Sequence, residues 1–164
     1  MNLELIKNKL QSESIYHSQE KILDKPSVIG YEKKFKWSWM ATQLNTFIVA
    51  SDFANEEINK ALIEKHLKES FNYAQKNYKG WPRGFQSGLG VISILISDKI
   101  DEESKEYCLK LKSSKKWAGF AIPVVIDSGD KKVYSFEKNP MWGRIYYPHF
   151  KEIINDFKYN LILY

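Results

Sequence analysis

The sequence predicts an α+β (mixed α/β) fold in a single domain over residues 1–164: a mixed, mostly five-stranded sheet with hairpins at its ends and helices packed on it. Three observations lead there. Leu89 to Ile96 is the most continuously apolar run in the chain, as expected of a strand covered on both faces. Helical stripes flank it, with Ile63, Leu67, Phe71, Ala74 and Tyr78 before it and Tyr107, Cys108 and Leu111 after it. Two strand patterns precede the first stripe and two follow the second, each pair spaced for a hairpin.

In chain order, Leu3, Ile6 and Leu10 recur at helical spacing and predict a helix over residues 2–11. From Ser12 to Gly30 the pattern fades into polar residues with Pro26, so residues 1–30 read as an N-terminal helix and a surface connection. Tyr31, Phe35, Trp37 and Trp39 then alternate with Glu32, Lys34, Lys36 and Ser38, which describes a strand with one buried face. A turn over 41–45 and a short strand from Thr46 to Ser51 complete the hairpin. Asp52 and Asn55 offer N-cap oxygens, Glu56 and Glu57 suit the positive end of a helix dipole, and the following stripe carries this helix to Asn77. His66, on a helix rich in charge, is expected in solvent. Gly80 and Pro82 stop the helix.

Beyond the central strand, Asp98 and Asp101 are cap candidates for a helix over 101–112. Trp117 to Asp127 reads as a strand in which Pro123, lacking an N–H, marks an edge or a bulge. Ser128-Gly129-Asp130 turns the chain into a return strand over 133–137, and Pro148 opens a last helix with Phe150, Ile153, Ile154 and Phe157 on one face.

The formal net charge of +5 and pI near 9.1 allow an anionic partner without demanding one, because both signs occur throughout. Nucleic acid fits the sign of the charge but no recognition motif. One cysteine, Cys108, forms no internal disulfide and reads as a small buried hydrophobe in a reducing compartment. No apolar stretch reaches the roughly 20 residues that span a bilayer, and no export signal is visible, so a cytoplasmic protein without membrane contact is expected.

No catalytic, metal or cofactor motif survives inspection. Gly84, Gly88 and Gly90 stand between a helix and a strand, the reverse of the order in a phosphate cradle; they read instead as positions of positive φ or close chain approach. Ser87 lacks the spacing of a nucleophile elbow. Three scattered histidines and one cysteine supply no ligand pair. Asp127 with Glu137 and Lys138 approaches a magnesium-nuclease pattern, but Glu137 and Lys138 are adjacent and point to opposite faces of a strand, while turn chemistry accounts for Asp127 and Asp130.

Two stretches pair an indole with a guanidinium. Trp81, Arg83, Gln86 and Ser87 lie just before the central strand; Trp142, Arg144, Tyr147 and His149 lie just before the last helix. If the loops meet, they form a basic, aromatic-walled pocket for a small anionic ligand or partner. The expectation is therefore a non-catalytic binding or interaction domain. The alternative is a metal-dependent enzyme acting on nucleic acid or a phosphorylated substrate through Asp127 and Glu137.

Overall fold

The computed structural model of the protein describes residues 3–82, 86–111 and 119–162, the side chains of 160–162 excepted. Among them the order is α1 (Leu3–Ser12), β1 (Tyr16–Ile22), β2 (Lys25–Lys36), a 3₁₀ turn (Trp37–Trp39), β3 (Thr42–Asp52), α2 (Lys60–Asn77), β4 (Ser87–Ser97), α3 (Glu102–Leu109), β5 (Gly119–Asp127), β6 (Lys132–Tyr134) and α4 (Tyr147–Ile162). The strands form one sheet in chain order, β1 to β6. Within it β3, β4 and β5 run parallel, and β1, β2 and β6 join antiparallel to their neighbours. The fold is α+β as predicted, with one strand more than the expected five.

The extra strand falls in what reads as a surface connection. Tyr16–Ile22 is an edge strand whose polar residues are largely exposed, so it lacks the alternation that betrays a half-buried strand. Its hairpin turn also lacks the Asn-Gly signal: Leu23 and Asp24 adopt φ of 54° and 61° without glycine. β2 then begins at Lys25, where Pro26 pairs with Lys21.

Two crossovers, β3–α2–β4 and β4–α3–β5, advance across the sheet in one direction, and two of the same hand must leave both helices on one face. Accordingly Ile63 of α2 and Cys108 of α3 share a cluster with Leu95 and Val125. The opposite parity, including Ile48, Ile92 and Ile122, packs against Ile6 and Leu10 of α1 and Phe150, Ile154 and Phe157 of α4. Both faces of the three parallel strands are thus covered, as their largely apolar composition requires. Burial pushes the Cys108 thiol up to about 12, in keeping with its reading as a small hydrophobe.

Several boundaries move for local reasons. α2 starts at Lys60, capped by Asn59, whose Oδ1 accepts from Leu62 N at 2.9 Å; Asp52 caps nothing helical and instead accepts from Ala54 N at 2.8 Å. Asp101 does cap its helix, accepting from Ser104 N at 2.7 Å. β3 reaches back to Thr42 because the 3₁₀ turn, closed by Met40 and Ala41 at φ 56°, absorbs the expected turn. Pro123 lies on the part of β5 that β6 does not reach, an edge as anticipated. The return strand stops at Tyr134, leaving Glu137 outside the sheet, and Trp117 lies outside the described residues.

His66 departs furthest from expectation, being fully buried between α2 and the sheet. Its Nε2 is 2.7 Å from Ser51 Oγ and its Nδ1 2.7 Å from Ser93 Oγ. Ser51 Oγ in turn lies 2.6 Å from Ser27 Oγ, which donates to the Lys25 carbonyl at 2.9 Å. That last bond uses the one Ser27 proton, so Ser51 donates to Ser27 and accepts from His66. The proton therefore sits on Nε2, and Nδ1 accepts from Ser93. Every member is satisfied only while the imidazole is neutral, and desolvation lowers its pKa to about 4.

Candidate functional site

At the end of the sheet where the parallel strands begin, register aligns Lys36 with Thr42, Gln43 with Ser87 and Leu89 with Gly119. Both enriched stretches arrive here, on opposite faces. On the α4 face, Trp142 to Tyr146 wrap over the strand ends beside a cavity of about 430 Å³, walled by Trp142, Phe120, Tyr146, Met40 and Met141, with Arg144 and Thr42 as its polar side chains. Gly143 permits the turn: its φ is +69°, and a Cβ there would stand 2.3 Å from the Phe120 ring. Phe120 lies 5.1 Å from Trp142 and 5.2 Å from Tyr146, centroid to centroid, and so forms the floor.

On the α2 face, the segment after α2 is fixed by a polar hub. Asn45, wholly buried, accepts from Tyr31 Oη at 2.8 Å and directs its amide toward Gln43 Oε1 and Tyr78 Oη, both at 3.3 Å. Gln43 Oε1 accepts from Trp81 N at 3.0 Å, and Tyr78 Oη donates to the Trp81 carbonyl at 2.6 Å while touching Ser87 Oγ. Trp81 is thereby held against Phe35, 5.7 Å away, which stacks edge-on with Trp37 at 5.2 Å. Asn45→Ala strands several buried partners at once, and a loss of about 1–3 kcal/mol in urea denaturation is expected.

Of the residues singled out from sequence, Ser87, Trp142 and Arg144 line the one cavity. Trp81 stands on the other face, Gln86 is exposed and gives its carbonyl to Gln43 N at 3.0 Å, and Arg83 lies outside the described residues. Tyr147 and His149 are buried behind the cavity wall. His149 donates from Nε2 to Glu32 Oε2 at 2.7 Å and packs 5.3 Å from Trp39, tying α4 to β2 and to the 3₁₀ turn. Burial works to raise the Glu32 carboxyl, but the hydrogen bond and charge of His149, with Lys34 nearby, outweigh it and hold the pKa below its ordinary value. Met40, Met141 and Ile145 are site residues that sequence reasoning missed. Isolated apolar residues in irregular segments carry no periodicity to expose them, though Met141 beside Trp142 is a signal.

The opposite end of the sheet holds a larger cavity, about 650 Å³, lined by Asp98, Asp127, Asp130, Glu57, Lys99 and Lys105 among others. Two of its charged groups are already engaged. Asp127 Oδ1 accepts from Gly129 N and Asp130 N at 3.0 Å each, and Lys105 Nζ donates to Glu102 at 2.6 Å. Glu137, the other member of the alternative metal pair, is held by its backbone to Leu109 and Lys151. Among the described residues no group of three His, Cys, Asp or Glu side chains is placed to hold a metal ion. No described helix is long and apolar enough to cross a membrane. Comparison of the chain with protein-family models, curated proteins and solved structures gives no match.

Proposed function

We propose that the chain is a non-catalytic binding or interaction domain, and that the cavity beneath Trp142 and Arg144 receives an anionic group attached to an apolar one. The observation that carries this reading is the composition of the cavity wall: an exposed guanidinium set among Trp142, Tyr146, Phe120 and two methionines. A planar cation with five donors suits a carboxylate or phosphate, and the flat aromatic walls suit the remainder of the ligand. Thr42 adds a hydroxyl at the inner end, whereas the Ser87 hydroxyl turns away to Tyr78 and Asn45 on the other face. Among the described residues that line the cavity no nucleophile and base stand together, which favours binding over catalysis.

Titration with phenylacetate, a small aromatic carboxylate, tests this. Stabilisation of the wild type in thermal denaturation is expected, with affinity reduced about tenfold or more in Arg144→Ala and in Trp142→Ala, the loss of one charge-assisted hydrogen bond being worth at least about 1.4 kcal/mol. Equal stabilisation of all three proteins would remove the cavity from consideration.

A further inference from the structure

The exposed apolar surface at this end of the sheet extends well past the cavity. Among the described residues eight large apolar side chains are exposed, and seven of them lie here: Met40, Met141, Trp142 and Ile145 about the cavity, and Phe35, Trp37 and Trp81 on the other side of the strand ends. Trp37 is 81% exposed, Met40 79% and Met141 93%. The two groups are joined through the 3₁₀ turn, because Trp37 and Met40 bracket Trp39, whose buried ring packs 5.6 Å from Tyr146 of the cavity wall. A small anion filling the cavity would leave Phe35, Trp37 and Trp81 in water. Exposed apolar side chains gathered in this number mark contact with a macromolecule, and Trp, Met, Phe and Arg are the residues over-represented in protein interfaces.

Charge narrows the partner. Lys33, Lys34, Lys36, Lys79 and Arg144 rim this end against two carboxylates, Glu32, engaged by Lys34 at 3.7 Å and by His149, and Glu152, 3.6 Å from His149 Nδ1. Lys36 Nζ rests 4.8 Å over the Trp39 ring and Lys33 donates to the Lys79 carbonyl, so these two cations are held in place at this end. A second copy of the chain meeting this face with its own would set like charges together, which disfavours self-association.

We infer that the partner is a protein segment, acidic and bearing large apolar side chains, that lies across the end of the sheet with one side chain in the cavity and others against Phe35, Trp37 and Trp81. This rests on the reading of the cavity as a binding site and extends it to the opposite face. A concave site with a guanidinium inside it accepts a protruding side chain and its carboxylate, whereas a bilayer offers nothing to fill it.

Selection of a random dodecapeptide display library on the full chain tests the inference. Enriched sequences are expected to combine Asp or Glu with Trp, Phe or Leu. Synthetic versions should bind about tenfold or more weakly to Trp37→Ala and to Arg144→Ala, and more weakly as salt rises. Trp37 is mostly exposed, so its replacement leaves the core intact, which unchanged unfolding midpoints would confirm. Binding lost in Trp142→Ala and Arg144→Ala but kept in Trp37→Ala overturns the extended surface and leaves the cavity. Binding indifferent to all three variants overturns both. Enrichment of basic or uncharged sequences, no enrichment, or preferential binding to phosphatidylserine and phosphatidylcholine vesicles overturns the acidic protein partner.

Discussion

Acidification from pH 6.5 to about pH 4 is expected to cost the folded protein about 3 kcal/mol through His66 alone. The imidazole is buried and its pKa falls from 6.5 to about 4, and each unit corresponds to about 1.4 kcal/mol. The sign follows from proton counts. Between these values the unfolded chain binds the proton and the folded chain does not, so stability is full above pH 6.5, falls as pH drops and levels off below about pH 4. Urea denaturation across this range should show a steeper decline for wild type than for His66→Gln. The variant has no titrating group there and is expected to be less stable at pH 7, because one amide cannot serve both Ser51 and Ser93. Glu32 also loses stabilisation in acid, since its folded pKa is lowered, but it does so equally in both proteins and cancels in the comparison. Parallel curves would mean that the ring is charged, or hydrated, in the folded state.

The same histidine shows where sequence reading succeeds and where it fails. The helix itself is legible, because its apolar stripe has the right period; which polar residue joins the stripe is not. Glu64, Lys65, Lys68 and Glu69 surround His66 in sequence and suggest water, yet the buried line is Ile63, His66, Ser70 and Ala74. A signal did exist across the sheet. Ser51 and Ser93 stand in otherwise apolar strands that will be covered on both faces, and buried hydroxyls require partners. Only tertiary structure shows that one imidazole serves both. β1 escaped for the opposite reason: an edge strand needs backbone pairing more than apolar side chains, so its sequence advertises little.

The candidate site was half legible. Indole and guanidinium pairing drew attention to both stretches, and their arrival at the same end of the sheet follows from the parallel strands, since one stretch precedes β4 and the other precedes a helix packed over its start. Parity decides the rest. Gln43 and Phe35 share the α2 face with the segment after α2, while Thr42, Gly88 and Phe120 share the other face with α4, so Trp81 and Trp142 are divided by the thickness of the sheet. A site read as one pocket becomes two apolar surfaces on opposite faces of the strand ends, linked through the 3₁₀ turn.

The depth of the cavity depends on how closely α4 approaches β4, and Gly90 and Phe150 set that distance. A Cβ on Gly90 would stand 2.7 Å from Cε1 and Cζ of Phe150, so the missing side chain is what lets the ring seat. Phe150 is fully buried and lies 5.4 Å from Phe120, the cavity floor, and 5.8 Å from Tyr147. Phe150→Ala is expected to cost about 3–5 kcal/mol, the usual range for emptying an aromatic core site. Gly90→Ala should cost about 1–3 kcal/mol by overpacking, since Phe150 has no solvent to retreat into. The double variant separates this account from two unrelated defects. With the ring gone, the Gly90→Ala methyl no longer clashes and fills part of the void, so the combined loss in urea denaturation should fall short of the sum by about 1 kcal/mol or more. Strict additivity would show that the ring and the strand do not meet as described, and the floor of the cavity would then need another support.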